Sequence, residues 1–249
     1  MNKETFINIE GYEKKSNLQN GCKKNVKKNI ELSNKDFEEY FKKEINLHKS
    51  EINYKTKKGY ECFKRIIDVI FCLVAAIPSI LLIGIFSILI VIDSKGNPIF
   101  SQVRVGKNGK LMKIHKLRSM RIDAEKDGQK WAETNDPRIT RIGKFIRKYR
   151  IDELPQLFDV FIGKMSLIGP RPEVPALTVQ FNDETPGFVT RLLVTPGLSG
   201  LAQVSGGYDI SPKEKWIKDN EYIEKRSISL YLYIFFLTIR TIFTGEGAR

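Results

Sequence analysis

The sequence is poor in the residues that build metal clusters and disulfide frameworks. It has two histidines, His48 and His115, and three cysteines, Cys22, Cys62 and Cys72. The cysteines are odd in number and unpaired in spacing, and neither histidine stands at ligand spacing from a cysteine or an acid. That pattern implies neither a disulfide framework nor a zinc site, and the working face is expected in the cytosol. No GxxxxGK[ST], HExxH or GxSxG segment occurs, which argues against P-loop, zincin and serine-hydrolase chemistry. Acids are scarce beside bases: 29 Asp and Glu against 42 Lys and Arg, a net charge of +13. Such a balance predicts anionic partners, namely lipid headgroups, nucleic acid or phosphorylated substrates. Nucleic acid is set aside, because that use of a basic face needs aromatic platforms or a reading motif and neither is evident.

Long apolar runs are absent except at one place. Val69–Ile92 carries no charge and is closed by Asp68 and Asp93, and a transmembrane helix needs ~20 apolar residues. It begins too late and runs too long for a signal-peptide core. Pro78 sits near its middle, with Ser79 after it, so a kink or break is expected there. Two topologies follow. One is a kinked spanning helix; the other is a re-entrant hairpin whose arms of roughly 15–20 Å enter and leave one leaflet. Lys57, Lys58, Lys64 and Arg65 precede the stretch, and Lys95, Arg104, Lys107 and Lys110 follow it. Cytoplasmic flanks are normally the basic ones, which favours the hairpin. A membrane stretch also makes lipid headgroups and lipid phosphates the nearer anionic partners.

The remainder divides into a polar N-terminal tail, residues 1–58, and a cytosolic catalytic domain, residues 96–249, around a membrane segment at 59–95. The tail is expected to be partly disordered or to hold an amphipathic helix around Phe37, Tyr40, Phe41, Ile45 and Leu47, capped by Ser33 or Asn34. Tyr60–Asp68 reads as a basic amphipathic lead-in at headgroup level. Alternation around Asn108-Gly109 predicts an antiparallel hairpin over Ile99–Leu117. The stretch 117–134 reads as a short helix or loop. A helix starting at Asp136-Pro137 would carry Ile142, Phe145 and Ile146 on one face, and a second helix is expected from about Pro155. Residues 164–177 read as a loop stiffened by proline. Leu230–Phe243 is too short to span and predicts either a surface-lying or a buried helix. The fold class is therefore α+β: a membrane-embedded, re-entrant or kinked helix plus a mainly helical domain with a small antiparallel hairpin.

Three features could carry chemistry. Asp152-Glu153 is an acidic pair among cations at an expected helix N-terminus. One carboxylate could act as nucleophile and the other hold a metal, or both could simply cap the helix. Lys116, Arg118, Arg147 and Arg171 stand in tight turns or beside prolines and suit phosphate, although a solvated basic surface would look the same. The glycines of PGLSGLAQVSGG permit either close approach to a ligand or plain turns.

Taken in order, several motifs resemble the bacterial sugar transferase family, the monotopic phosphoglycosyl transferases. They are KRIIDV, FSQVRVGKNG (Phe100–Gly109), KLRSM (Lys116–Met120), DPRITRIGKFIRK (Asp136–Lys148), IDELPQL (Ile151–Leu157), KMSLIGPRPE (Lys164–Glu173) and PGLSGLAQVSG (Pro196–Gly206). The resemblance implies transfer of a sugar-1-phosphate from a UDP-sugar to polyprenyl phosphate at the cytoplasmic face of the bacterial inner membrane, with release of UMP. It implies Asp152 as nucleophile, Glu153 as the residue associated with Mg²⁺, and a re-entrant membrane helix. Arg147, Asp219 and Tyr222 match family positions; substrate binding is expected of these three with Lys116, Arg118, Arg171 and Gln203, and an amphipathic tail and exposed apolar helices permit a homodimer. Two departures stand out. The family breaks its membrane helix at Ser-Pro, whereas Pro78 follows Ile77. A later family aspartate is replaced here by Tyr231.

Overall fold

The computed structural model describes residues 33–124, 126, 136–206 and 210–244. The expectations for residues 1–32 and for most of 125–135 lie outside the described residues.

Helix α1 (Asn34–His48) starts at a capping box in which Ser33 and Asp36 satisfy each other's backbone N–H. Ser33 is the cap, as its side-chain oxygen suits that position. Phe37, Phe41 and Ile45 bury the apolar face against Val105, Val179, Val189 and Leu192. The amphipathic segment is thus docked on the body of the protein rather than lying apart as a tail.

Helix α2 (Lys58–Asp93) is a single element of 36 residues. It is long and apolar enough to cross a membrane. Pro78 lacks an N–H and so removes one rung of the ladder, and the residues on both sides of it are helical. Both ends of α2 are fastened to the same body. At the first end, Asp68 accepts from Leu167 N at 3.1 Å and from Tyr231 Oη at 2.9 Å. Arg65 donates to Val160 O at 2.7 Å. At the other end, Ile90 is buried with Leu117 and Ile146, and Asp93 accepts from Ile142 N at 3.2 Å. Between these anchors Val74, Ile77 and Leu81 point outward, Ile77 being 81 % exposed.

Strands β1 (Ile99–Val105) and β2 (Leu111–Leu117) form the expected antiparallel hairpin, with Ile99 opposite Leu117 and Val105 opposite Leu111. Asn108 and Gly109 both have positive φ, 57° and 76°, the conformation an Asn-Gly turn supplies without strain. Helix α3 (Arg141–Lys148) begins later than Asp136-Pro137, because Thr140 is the cap and accepts from Gly143 N at 3.0 Å. Asp136 instead ion-pairs with Arg138 at 2.6 Å. Helix α4 (Gln156–Phe161) follows Pro155.

The segment expected as a proline-stiffened loop contains β3 (Ser166–Ile168), paired in parallel with β4 (Gly197–Ser199). The glycines here allow close backbone contact: a Cβ on Gly197 would lie 2.1 Å from Gly169 N, and one on Gly200 would lie 2.2 Å from Gly169 O. Helices α5 (Pro175–Glu184), α6 (Leu201–Gly206), α7 (Pro212–Lys225) and α8 (Ile228–Thr244) complete the body. Helix α8 is both things the sequence suggested: Tyr231 and Ile234 are fully buried, while Tyr233 and Phe236 are exposed.

Candidate active site

Asp152 and Glu153 sit in a 3-10 turn, Ile151–Glu153, one step before the six-residue α4. Neither carboxylate caps a helix, and so short a helix offers little dipole. The pair is instead surrounded by cations. Arg171 grips Glu153 with both terminal nitrogens, Nη1 lying 3.3 Å from Oε2 and Nη2 against Oε1. Lys116 Nζ, from the end of β2, reaches Glu153 Oε1 at 3.3 Å. Arg171 is itself set by a bond to Leu198 O at 3.3 Å, just ahead of Gly200. Asp152 has no hydrogen bond or ion pair among the described residues, although it is 8 % exposed.

Asp152 opens onto a cavity of about 370 Å³, within the usual range for small-molecule sites. The wall carries Arg104, Lys116, Arg121, Arg147, Arg150 and Arg171 against only Asp152 and Glu173. Strand β1 supplies Arg104, held by Pro172 O at 3.1 Å and Gln102 Oε1 at 2.6 Å. Glu173 accepts from Lys215 at 2.8 Å.

The two neighbouring acids are driven apart. Burial raises the Asp152 carboxyl above the ordinary carboxylate range, and the charge on Glu153 adds to that, outweighing Lys116, Arg147 and Arg171. Burial also acts to raise Glu153, but Arg171 and Lys116 overcome it and hold that group well below the ordinary range. Glu153 is therefore a fixed anion in a cationic clamp, and Asp152 is a poorly solvated carboxylate facing open space.

Mg²⁺ commonly needs only one or two protein carboxylates, the remaining ligands being water and phosphate oxygens. No cluster of three or more His, Cys, Asp or Glu occurs among the described residues. The unpartnered oxygens of Asp152 fit such an ion. Those of Glu153 are engaged by Arg171 and Lys116 and fit it only when one of these cations moves to a substrate phosphate.

The other residues singled out from sequence divide in two. Arg147 and Gln203 line the cavity. Arg118 lines it too, but its guanidinium donates to Ser94 O and to Lys95 O at 3.0 Å, fixing the end of α2. Asp219 and Tyr222 line neither of the two cavities described here. Asp219 is fully buried against Arg191, 2.9 Å from Nε. Tyr222 Oη meets Tyr60 Oη at 2.9 Å and Lys64 Nζ at 3.4 Å in the core. Arg150, Arg104, Glu173 and Lys215 were missed. Arg150 stood beside the acidic pair in sequence, Arg104 and Glu173 lay inside the motifs FSQVRVGKNG and KMSLIGPRPE, and Lys215 had no signal.

The cationic cavity around an acidic pair, beside a helix long and apolar enough to cross a membrane, is chemically suited to phosphate-bearing ligands. The bacterial sugar transferase family matches residues 59–245, and the chain belongs to that family. A Bacillus subtilis relative with the provisional name undecaprenyl-phosphate N-acetylgalactosaminyl 1-phosphate transferase is 52 % identical over 146 residues, 59 % of this chain and 81 % of the relative. The UDP-N-acetylgalactosamine-undecaprenyl-phosphate N-acetylgalactosaminephosphotransferase of Aeromonas hydrophila is 45 % identical over 76 % of this chain and 46 % of its own length. The UDP-glucose:undecaprenyl-phosphate glucose-1-phosphate transferase of Klebsiella pneumoniae is 41 % identical over 75 % of this chain and 41 % of its own length. The chain thus spans most of the first relative and less than half of the other two.

Proposed function

We propose that this protein transfers a sugar-1-phosphate from a UDP-sugar to undecaprenyl phosphate and releases UMP, with Asp152 as the nucleophile. The observation that carries the reading is the Asp152 carboxylate: buried, without a partner, and facing a cation-walled cavity beside a membrane helix. A carboxylate that is desolvated yet ionised is a better nucleophile than one in water.

In the first step an Asp152 oxygen attacks the phosphorus that carries the sugar. A P–O bond forms to the carboxylate, the P–O bond to the nucleotide breaks, and UMP leaves with the electron pair. In the second step a phosphate oxygen of the acceptor attacks the same phosphorus and the P–O bond to Asp152 breaks, regenerating the carboxylate. The wall cations hold the phosphates and lower the cost of bringing an anion to them. Before substrate binds, Glu153 keeps Arg171 and Lys116 in place. Mg²⁺, held by Asp152 and by Glu153 once freed, would neutralise phosphate charge.

The acceptor dissolves in lipid, which accounts for α2. Its two ends grip one body, and its flanks are basic on both sides. These facts support a helix that enters and leaves one face, with the body at the cytoplasmic surface of the bacterial inner membrane, where nucleotide sugars are made.

The test is UMP release from UDP-N-acetylgalactosamine, UDP-glucose and other UDP-sugars, in the presence of Mg²⁺ and undecaprenyl phosphate. Release with at least one donor, abolished in Asp152→Asn, supports the reading. Equal release from Asp152→Asn sinks the covalent route.

A further inference from the structure

A second cavity, of about 190 Å³, lies between α2 and α8 on the Glu153 side of the pair. Its wall is mainly apolar, with Phe71 and Ala75 from α2, Leu157 from α4, and Phe235 and Ile239 from α8. Its polar residues are Arg150, Glu153 and Gln203, with the hydroxyls of Ser79, Ser199, Thr238 and Thr241. Arg150 and Gln203 also line the cationic cavity, so the two spaces share a boundary at the catalytic pair. Both amide atoms of Gln203 are buried without a hydrogen-bond partner. Such an orphan costs about 1–3 kcal/mol and calls for a polar ligand atom. Phe71 and Ala75 belong to the same turns of α2 as Val74 and Ile77, which are 75 % and 81 % exposed. The apolar cavity therefore adjoins the surface that α2 turns outward.

We propose that this cavity holds the first isoprenoid units of the acceptor lipid, and that Arg150 and Gln203 grip its phosphate where the two cavities meet. The inference rests on the reading that the acceptor is a polyprenyl phosphate. The chemistry of the walls matches that molecule: a mainly apolar lining, interrupted only by the hydroxyls of Ser79, Ser199, Thr238 and Thr241, for a hydrocarbon chain, then a guanidinium and an amide for its phosphate, then the carboxylate that carries the sugar phosphate. Because Arg150 and Gln203 belong to both cavities, the departing UMP phosphate and the incoming lipid phosphate use the same place in turn. Double displacement requires that sharing, since both bonds are made and broken opposite the Asp152 oxygen.

The test uses the full chain in nanodiscs of phosphatidylglycerol and phosphatidylethanolamine. A polyprenyl phosphate bearing a diazirine on its first isoprenoid units is irradiated in place, and so is a diazirine-bearing phosphatidylglycerol. The expected result is that the polyprenyl probe labels peptides holding Phe71–Ser79 and Phe235–Ile242, and that the phospholipid probe labels the exposed face of α2 around Ile77. Equal labelling of the cavity by both probes, or labelling by the polyprenyl probe along the exposed face alone, overturns the proposal. Filling the cavity with Ala75→Phe is expected to raise the KM for undecaprenyl phosphate about tenfold with the donor KM unmoved. Ile77→Phe, on the exposed face, is expected to change neither. An unchanged acceptor KM in folded Ala75→Phe overturns the proposal, and if that variant does not fold, the labelling decides. Labelling needs no turnover. Failure of the wild type to release UMP from any donor therefore counts against the proposed reaction and not against the cavity's occupant.

Discussion

Arg171 spreads its guanidinium across the Glu153 carboxylate, Nη1 to Oε2 at 3.3 Å, and so leaves Asp152, the next residue back, with no cation bound to it. Two consecutive carboxylates thereby receive opposite environments. One is clamped and permanently charged, the other desolvated and open. Pairs of acids pushed apart in this way mark a division of chemical labour.

The clamp predicts a strong asymmetry between two substitutions. Arg171→Ala leaves the Glu153 carboxylate buried with only Lys116 beside it, and breaking a buried pair from one side costs roughly 3–5 kcal/mol. The double variant Arg171→Ala/Glu153→Gln removes the stranded charge and should recover part of that loss. Thermal melting of the singles and the double in detergent measures the coupling. A double variant no more stable than Arg171→Ala would show that something other than the ion pair holds this turn.

Glu173 predicts a pH dependence of stability. Burial acts to raise its carboxyl, but Lys215, Arg191 and Arg104 overcome that and pull it down to about 2 from an ordinary 4.5. A group whose folded pKa is depressed stabilises the fold above its unfolded pKa and loses that contribution as pH falls. The stability difference between wild type and Glu173→Gln should therefore be full above about pH 5 and shrink steadily from there toward pH 2. Chemical denaturation of both proteins across that range reads it. A difference that does not change with pH would remove Glu173 as its source.

The N-terminal helix is predicted to be part of the folding unit. Phe41 is fully buried, and Gly109 packs on it so closely that a Cβ there would lie 2.6 Å from Phe41 Cβ at a φ of +76°. Phe41→Ala should cost about 3–5 kcal/mol through the cavity it leaves. Gly109→Ala should also lower the melting temperature, through both the clash and the left-handed backbone. A single transition in wild type that either substitution lowers as a whole would confirm that α1 and the hairpin melt together. A separate early transition would show that α1 is merely attached.

What the sequence disclosed and what it hid follow from the range of each signal. The hairpin was legible to its last residue because alternation and Asn108-Gly109 are local, and Ser33 was legible as a cap because capping is settled within four residues. The acidic pair was legible as a candidate site, but its partners were not: Lys116 and Arg171 reach Glu153 from 37 and 18 residues away. Strands β3 and β4 hold three residues each and pair across the intervening helix α5, so neither shows a period that could announce it. Pro78 marked where α2 loses a rung, because the rule for proline is local, whereas the anchors at Asp68 and Asp93 that tie both parts of α2 to one body come from partners far away in sequence. Asp219 and Tyr222 were legible as a motif, but only packing shows that they lie in the core, against Arg191 and Tyr60.

Arg150 has φ 55° and ψ 22°, a left-handed conformation that costs an ordinary side chain about 1–2 kcal/mol. Strain of this kind persists only where the surroundings enforce it, and it gathers at functional sites. Here it places Arg150 on the wall common to both cavities. Asparagine tolerates the left-handed region better than arginine and carries no charge. Arg150→Asn should therefore melt no lower than wild type while UMP release in the presence of acceptor falls on the order of 100-fold, the loss typical when a preorganised donor to a reacting phosphate is removed. Arg150→Lys keeps the charge and should recover part of the rate without the stability gain. A residue held for structure alone would lose stability and activity together. If Arg150→Asn kept its full rate, the strain would have no catalytic purpose, and the grip on phosphate would fall to Arg147 and Gln203.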